Sequence, residues 1–201
     1  MRLLRPDRSV AVFLLTLWAP GSVVLVAAMM MSHLLALPTP LSRAVETALV
    51  RQGEPRGTWL AFHVLYADCP CSQRVALSLE ARGARADFDE RVLLVGHDPA
   101  LLAALSAKRF HVDSITPDEL KERFGIEAAP AFFAVAADGS VPYVGGYSGY
   151  QEGPAEDTRI LSLVRHGLRP EPLPLFGCAV SRELQVKADP LGLKYSLEAT
   201  R

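Results

Sequence analysis

Residues 58–83 read TWLAFHVLYADCPCSQRVALSLEARG, and three successive signals in this stretch decide the fold. Thr58 to Tyr66 is an apolar, β-rich run of strand length, as expected for a central strand buried on both faces. Cys69-Pro70-Cys71 follows almost at once, and Pro70 suits the first turn of a helix. The segment QRVALSLEAR then runs to Gly83, a residue suited to the position just past a helix end. Strand, cysteine turn and helix therefore follow one another directly.

Downstream, strand and helix signals alternate. Arg91 to Val95 reads as a second short strand, and Asp98-Pro99 opens a helix through Lys108. Thr116-Pro117-Asp118-Glu119 is a helix start, with Thr116 as cap, Pro117 in the first position and Glu119 completing a capping box. That helix runs to about Phe124 and stops near Gly125. Ala131 to Ala136 is a third strand, Asp138-Gly139 a hairpin turn, and Val141 to Val144 the returning fourth strand. Gly145, Gly146 and Gly149 form a loose connection to a last helix, roughly Glu156 to His166. Residues 169–201 favour no single element and read as a C-terminal extension.

This order, with Ala129-Pro130 leading into the strand hairpin, resembles the thioredoxin superfamily over about residues 58–168. In layout it is similar to the membrane-anchored, periplasmic thiol-disulfide oxidoreductases of bacteria. The resemblance rests on Cys-Pro-Cys at a strand-to-helix turn, on Gly125-Ile126-Glu127-Ala128-Ala129-Pro130 before a strand, and on the Asp138-Gly139 hairpin. It implies an α/β fold with a central mixed sheet of at least four strands flanked by helices. It also implies that Pro130 is cis and faces the cysteines, and that Cys69, Cys71 and Pro130 form the catalytic site, with no cofactor.

A thiol at a helix N-terminus meets unpaired backbone N–H groups, which favour the thiolate that attacks disulfides. On this ground Cys69 is expected as the nucleophile and Cys71 as the resolving thiol. Two departures from the family bear on that order. One residue separates the cysteines instead of two, and so small a ring is strained, which predicts a relatively oxidising couple. Asp68 stands where the family has Trp, and a carboxylate beside Cys69 opposes thiolate formation. An alignment that matches Pro70-Cys71 to the family's Pro-Cys places Asp68 at the nucleophile position and leaves Cys71 the more protected thiol.

A metal reading stands beside the redox one. Two thiolates and a third ligand suit a soft ion such as Cu(I), and Cys178 and His63 are the available third ligands. His63 falls within the buried strand run, where a core histidine is the simpler account. Cys178 is read as a buried small hydrophobe, with resolving thiol and metal ligand as its alternatives. A third possibility is a thioredoxin-shaped binding module that needs neither Cys69 nor Cys71. His33, His97, His111 and His166 show no ligand spacing, and Met29-Met30-Met31 sits in an apolar run. Tyr143, Tyr147 and Tyr150 among the glycines make an aromatic loop that either holds a partner or packs the hairpin.

The 201 residues suffice for one domain and an appendage. A net charge of −1 argues against a nucleic-acid partner, which would need a basic surface. Residues 10–37 carry no Lys, Arg, Asp or Glu, and this run exceeds the roughly 20 apolar residues a membrane helix needs. Arg2, Arg5 and Arg8 precede it and only Arg43 and Arg51 follow closely, so the positive-inside rule sends the remainder across the membrane. A cleaved signal ending at Val26-Ala27-Ala28 is the rival reading. The expected plan is a cytoplasmic N-terminus over 1–9, a single-pass signal anchor over 10–37, a stalk over 38–57 holding a short amphipathic helix, the domain over 58–168 and the extension over 169–201. The domain then lies in the periplasm or another extracytoplasmic space, where disulfides persist, and acts on exported protein thiols.

Overall fold

The structure, a computed structural model, describes residues 8–34, 36–52, 57–190, 192 and 194–195. It divides into two units, residues 1–35 and residues 36–201. In the first, helix α1 spans Arg8–Leu34 and contains Pro20. Among the described residues no helix is long and apolar enough to cross a membrane. The Thr16 and Ser22 hydroxyls donate back to the Phe13 and Trp18 carbonyls. Arg2 and Arg5, on which the orientation rests, lie outside the described residues, as do Gly53 and Pro55 of the expected stalk.

The second unit is built on a five-stranded mixed sheet. Its strands are β1 (Leu60–Tyr66), β2 (Asp89–Val95), β3 (His111–Ile115), β5 (Ala131–Val135) and β6 (Tyr143–Gly145), in the order β3-β2-β1-β5-β6. Strands β1, β2 and β3 are mutually parallel, while β5 runs antiparallel to β1 and β6 antiparallel to β5. A two-stranded sheet joins β4 (Ala128–Ala129) to β7 (Cys178–Ala179). The helices are α2 (Ser42–Gln52), α3 (Pro70–Arg82), α4 (Pro99–Ala107), α5 (Pro117–Phe124), α6 (Asp157–Arg165) and α7 (Arg182–Ala188). The thioredoxin-like α/β architecture with a mixed central sheet is thus present, with five strands in the main sheet.

Alternation along β1 divides the core between two faces. Leu60, Phe62 and Val64 pack with Val45 and Leu49 of α2, Leu120 and Phe124 of α5, and Phe133. Ala61 and Leu65 pack on the other face with Val75, Ala76 and Leu79 of α3, Leu105 of α4, and Ile160, Leu161 and Val164 of α6. Helix α2 is therefore part of the domain core, not a free stalk, because its apolar stripe of Val45, Ala48 and Leu49 is buried.

The local signals hold in detail. Thr116 caps α5 in a reciprocal capping box with Glu119, and Gly125 ends that helix in the left-handed region at φ 67°. Asp98 caps α4 through the Leu101 N–H. The Asp138-Gly139 turn closes with the Ala136 N–H donating to the Ser140 carbonyl, with Gly139 at φ 88°. The extension does have structure. Residues 173–181 run beside the β5–β6 hairpin, where the Gly146 N–H donates to the Leu173 carbonyl at 2.8 Å, and then pair with β4 through β7.

Candidate active site

The end of β1 and the start of α3 fix the cysteine turn. The Cys69 N–H donates to the Tyr66 carbonyl at 3.0 Å, and the Tyr66 N–H donates to the buried Ser72 hydroxyl at 3.0 Å. Gln73 donates from Nε2 to the Ala67 carbonyl at 3.2 Å. Cys69 occupies the N-cap of α3 in extended conformation, and its side chain makes no capping hydrogen bond. The thiol is therefore not engaged by its own helix. It is fully buried, and it donates instead to the carbonyl of Ala129 at 3.7 Å.

The peptide bond between Ala129 and Pro130 is cis, as the resemblance implies. Pro130 and Cys71 line one cleft together with Arg74, Tyr147, Tyr150 and Phe176. Cys71 is half-buried, so it is the thiol of the pair that reaches this cleft, while Cys69 lies behind it. Arg74, one turn along α3, donates from Nη2 to the Cys71 sulfur at 3.3 Å. The i to i+3 spacing on a helix places Arg74 beside Cys71.

Cys178 supplies the third thiol. It is buried on β7 directly opposite Ala129, the residue whose carbonyl accepts from Cys69. Close packing allows this approach. A Cβ on Gly177 would come within 2.0 Å of the Ala129 carbonyl oxygen and 2.6 Å of Pro130 Cδ. Cys69 acts on the ionisation of both Cys71 and Cys178, and each of them acts on Cys69.

The three thiols differ in how readily they ionise, and Cys69 remains more acidic than Cys71. The Cys69 pKa is raised, chiefly by its hydrogen bond with Cys178 and further by burial, and these outweigh the lowering from Cys71 and from the Ser72 backbone. Cys71 is pushed up further, first by its hydrogen bond with Cys69 and then by burial, with Arg74 opposing. Cys178 is lowered, first by its polar interaction with Cys69 and also by the Lys194 ammonium. The helix N-terminus does not make Cys69 the most acidic thiol, because burial and the neighbouring sulfurs dominate. Asp68 is exposed and acts on Tyr66, whose pKa it helps raise after burial.

Among the described residues no group of three His, Cys, Asp or Glu side chains could hold a metal ion. His63 is fully buried and already committed, with Nδ1 at 2.7 Å from the Tyr147 hydroxyl and Nε2 at 3.1 Å from Glu90 Oε2. A carboxylate only accepts, so Nε2 is the donor and Nδ1 accepts from Tyr147. Of the aromatic loop, Tyr143 and Tyr147 are buried in the core and Tyr150 alone is exposed at the cleft.

No family model matches the chain, and neither does any curated protein. Solved structures do. A conserved protein of Geobacillus kaustophilus is 15% identical, with 74% of this chain and 90% of that one covered at a TM-score of 0.47. A hypothetical protein of Sinorhizobium meliloti is 16% identical, covering 62% and 79% at 0.42. A secreted disulfide oxidoreductase of Mycobacterium tuberculosis is 19% identical, covering 44% and 69% at 0.36. Likeness of this degree carries no chemistry across, which must come from the residues themselves.

Proposed function

We propose that this protein is a thiol-disulfide oxidoreductase that exchanges electrons with exported proteins through Cys69 and Cys71. The observation that carries the reading is the placement of Cys71 in an open cleft beside cis-Pro130, with the buried Cys69 in contact behind it. In the reducing direction, the Cys71 thiolate attacks a partner disulfide and one partner sulfur leaves as thiolate. Cys69 then attacks the Cys71 sulfur, its proton passing to the second partner sulfur as that leaves. The partner gains two electrons and Cys69–Cys71 becomes a disulfide. The oxidising direction is the same sequence reversed. Arg74 holds the charge on Cys71 whenever that sulfur is the attacking or leaving group.

Trapping tests this order. The Cys69→Ser chain incubated with glutathione disulfide should accumulate a mixed disulfide on Cys71, because the resolving thiol is gone. Failure of the wild-type chain to exchange with glutathione at any ratio of reduced to oxidised would overturn the redox reading.

We place the domain outside the cytoplasmic membrane. Support comes from the uncharged run over 10–37 behind Arg2, Arg5 and Arg8, and from a cysteine pair suited to an oxidising compartment. A reporter enzyme that matures only through disulfides, fused after Arg201, should be active in intact cells. An inactive fusion that folds would sink the placement.

A further inference from the structure

The exchange reading uses two thiols and leaves the third unexplained. Cys178 is 7% exposed and sits across the β4–β7 pair from Ala129, whose carbonyl accepts from the Cys69 thiol at 3.7 Å. An inert buried cysteine needs none of this placement. The chain invests two close backbone approaches in bringing residues 174–178 to the site. A Cβ on Gly146 would come within 2.0 Å of the Pro174 carbonyl oxygen, and one on Gly177 within 2.0 Å of that of Ala129. Lys194 adds a positive charge there, its Nζ donating to the Gly177 carbonyl at 3.3 Å.

We infer that Cys178 is a third exchanging thiol, which attacks Cys69 in the Cys69–Cys71 disulfide, forms Cys69–Cys178 and releases Cys71. The inference rests on the exchange reading above. One S–S bond breaks and one forms, Cys178 gives up a proton and Cys71 takes one up, and no electrons leave the chain. No outside oxidant or reductant is required for the step. The attacking sulfur is the one whose ionisation is favoured, since Cys69 and Lys194 both lower the Cys178 pKa. The sulfur attacked is Cys69, held at the Ala129 carbonyl that β7 places opposite Cys178. The leaving sulfur is met by Arg74. The result moves the disulfide from the cleft into the buried C-terminal segment and returns Cys71 to the cleft as a free thiol. A second client can then engage Cys71 while the oxidised pair is held out of reach of solvent.

Disulfide mapping on the full wild-type chain tests this without any variant. The reduced chain is equilibrated in graded glutathione buffers, quenched in acid, alkylated in denaturant, digested and read by mass spectrometry. The expected product over part of the range is a Cys69–Cys178 linked peptide pair with Cys71 alkylated. In Cys71→Ser the same link should still form reversibly. In Cys178→Ser only Cys69–Cys71 should remain, with its midpoint shifted toward more oxidising values. If Cys69–Cys71 forms while Cys178 is fully alkylated at every ratio, the third-thiol inference is overturned and the exchange reading survives. If no disulfide forms at all, both fail.

Discussion

Arg74 Nη2 donates to the Cys71 sulfur at 3.3 Å, and this is the one cationic hydrogen bond on the thiol that faces the cleft. It opposes the two effects that push the Cys71 pKa up, the hydrogen bond with Cys69 and burial. Replacing it with Ala should therefore raise that pKa further and slow alkylation of Cys71 at neutral pH. The Arg74 side chain is about half exposed, and contacts of that kind contribute about 0.2–1 kcal/mol. The expected fall is up to about fivefold, with partial recovery in Arg74→Lys. Because the Cys71 pKa lies above the ordinary range, its alkylation rate should also keep rising beyond a pH of about 8.5, where an ordinary cysteine begins to level off. A rate unaffected by Arg74→Ala would show that the contact does not govern the thiol.

Beneath the site, Glu90 is the anion of a buried cluster. It accepts from Arg82 Nη2 at 2.7 Å, from Arg82 Nη1 at 3.1 Å, from the Arg85 N–H at 3.1 Å and from His63 at 3.1 Å. Burial raises its pKa, but the hydrogen bonds from His63 and Arg82 outweigh it and hold it at about 2. A depressed carboxylate pKa stabilises the fold above the unfolded value of about 4.3, and that contribution is lost as pH falls toward about 2. The urea midpoint should therefore decline through this window in the wild-type chain. Glu90→Gln should cost about 3–5 kcal/mol at neutral pH by leaving Arg82 and His63 buried with a weaker partner. It should also flatten the decline, and an equally steep one in the variant would assign the acid sensitivity elsewhere.

Tyr147 closes the same cluster from the cleft side, its hydroxyl donating to His63 Nδ1 at 2.7 Å with the ring 5% exposed. Tyr147→Phe keeps the ring and strands a buried acceptor. A stranded buried polar atom costs about 1–3 kcal/mol, which chemical denaturation would read directly. Unchanged stability would mean that water or a rearranged His63 satisfies the nitrogen.

The parts of this molecule legible in its sequence are those fixed by neighbours along the chain. The strand before Cys69, Pro70 at the helix start, the Thr116–Glu119 capping box and the Asp138-Gly139 turn all depend on a few consecutive residues. Strand β3 was not legible, because His111–Ile115 is an edge strand with an exposed, polar face and lacks an apolar run. Strand β7 was not legible either. Its two residues pair with β4 some fifty positions earlier, and the approach depends on Gly177 having no side chain. The acidity of Cys178 was not legible for a related reason. A helix N-terminus is visible in sequence, whereas the burial of Cys69 between Cys71 and a distant Cys178 is a tertiary fact.

Gly177 gives the sharpest test of how the C-terminal segment meets the cis-proline loop. Its backbone conformation needs no glycine by φ, so the constraint is space alone: an added Cβ would lie 2.0 Å from the Ala129 oxygen, 2.7 Å from the Ala129 carbonyl carbon and 2.6 Å from Pro130 Cδ. Two of these are backbone atoms, which cannot swing aside. Gly177→Ala must therefore displace either the loop or residues 175–179, and overpacking of this kind costs about 1–3 kcal/mol. The displacement would carry Cys178 away from Cys69. Two readouts should move together, a lower denaturation midpoint and loss of the Cys69–Cys178 link from disulfide maps, while Cys69–Cys71 still forms. Gly192→Ala serves as the comparison, since its added Cβ meets nothing within 4 Å and its cost would come from φ 64° alone. If Gly177→Ala were as stable as wild type and kept the Cys69–Cys178 link, the segment would have to approach the loop less closely than the structure places it.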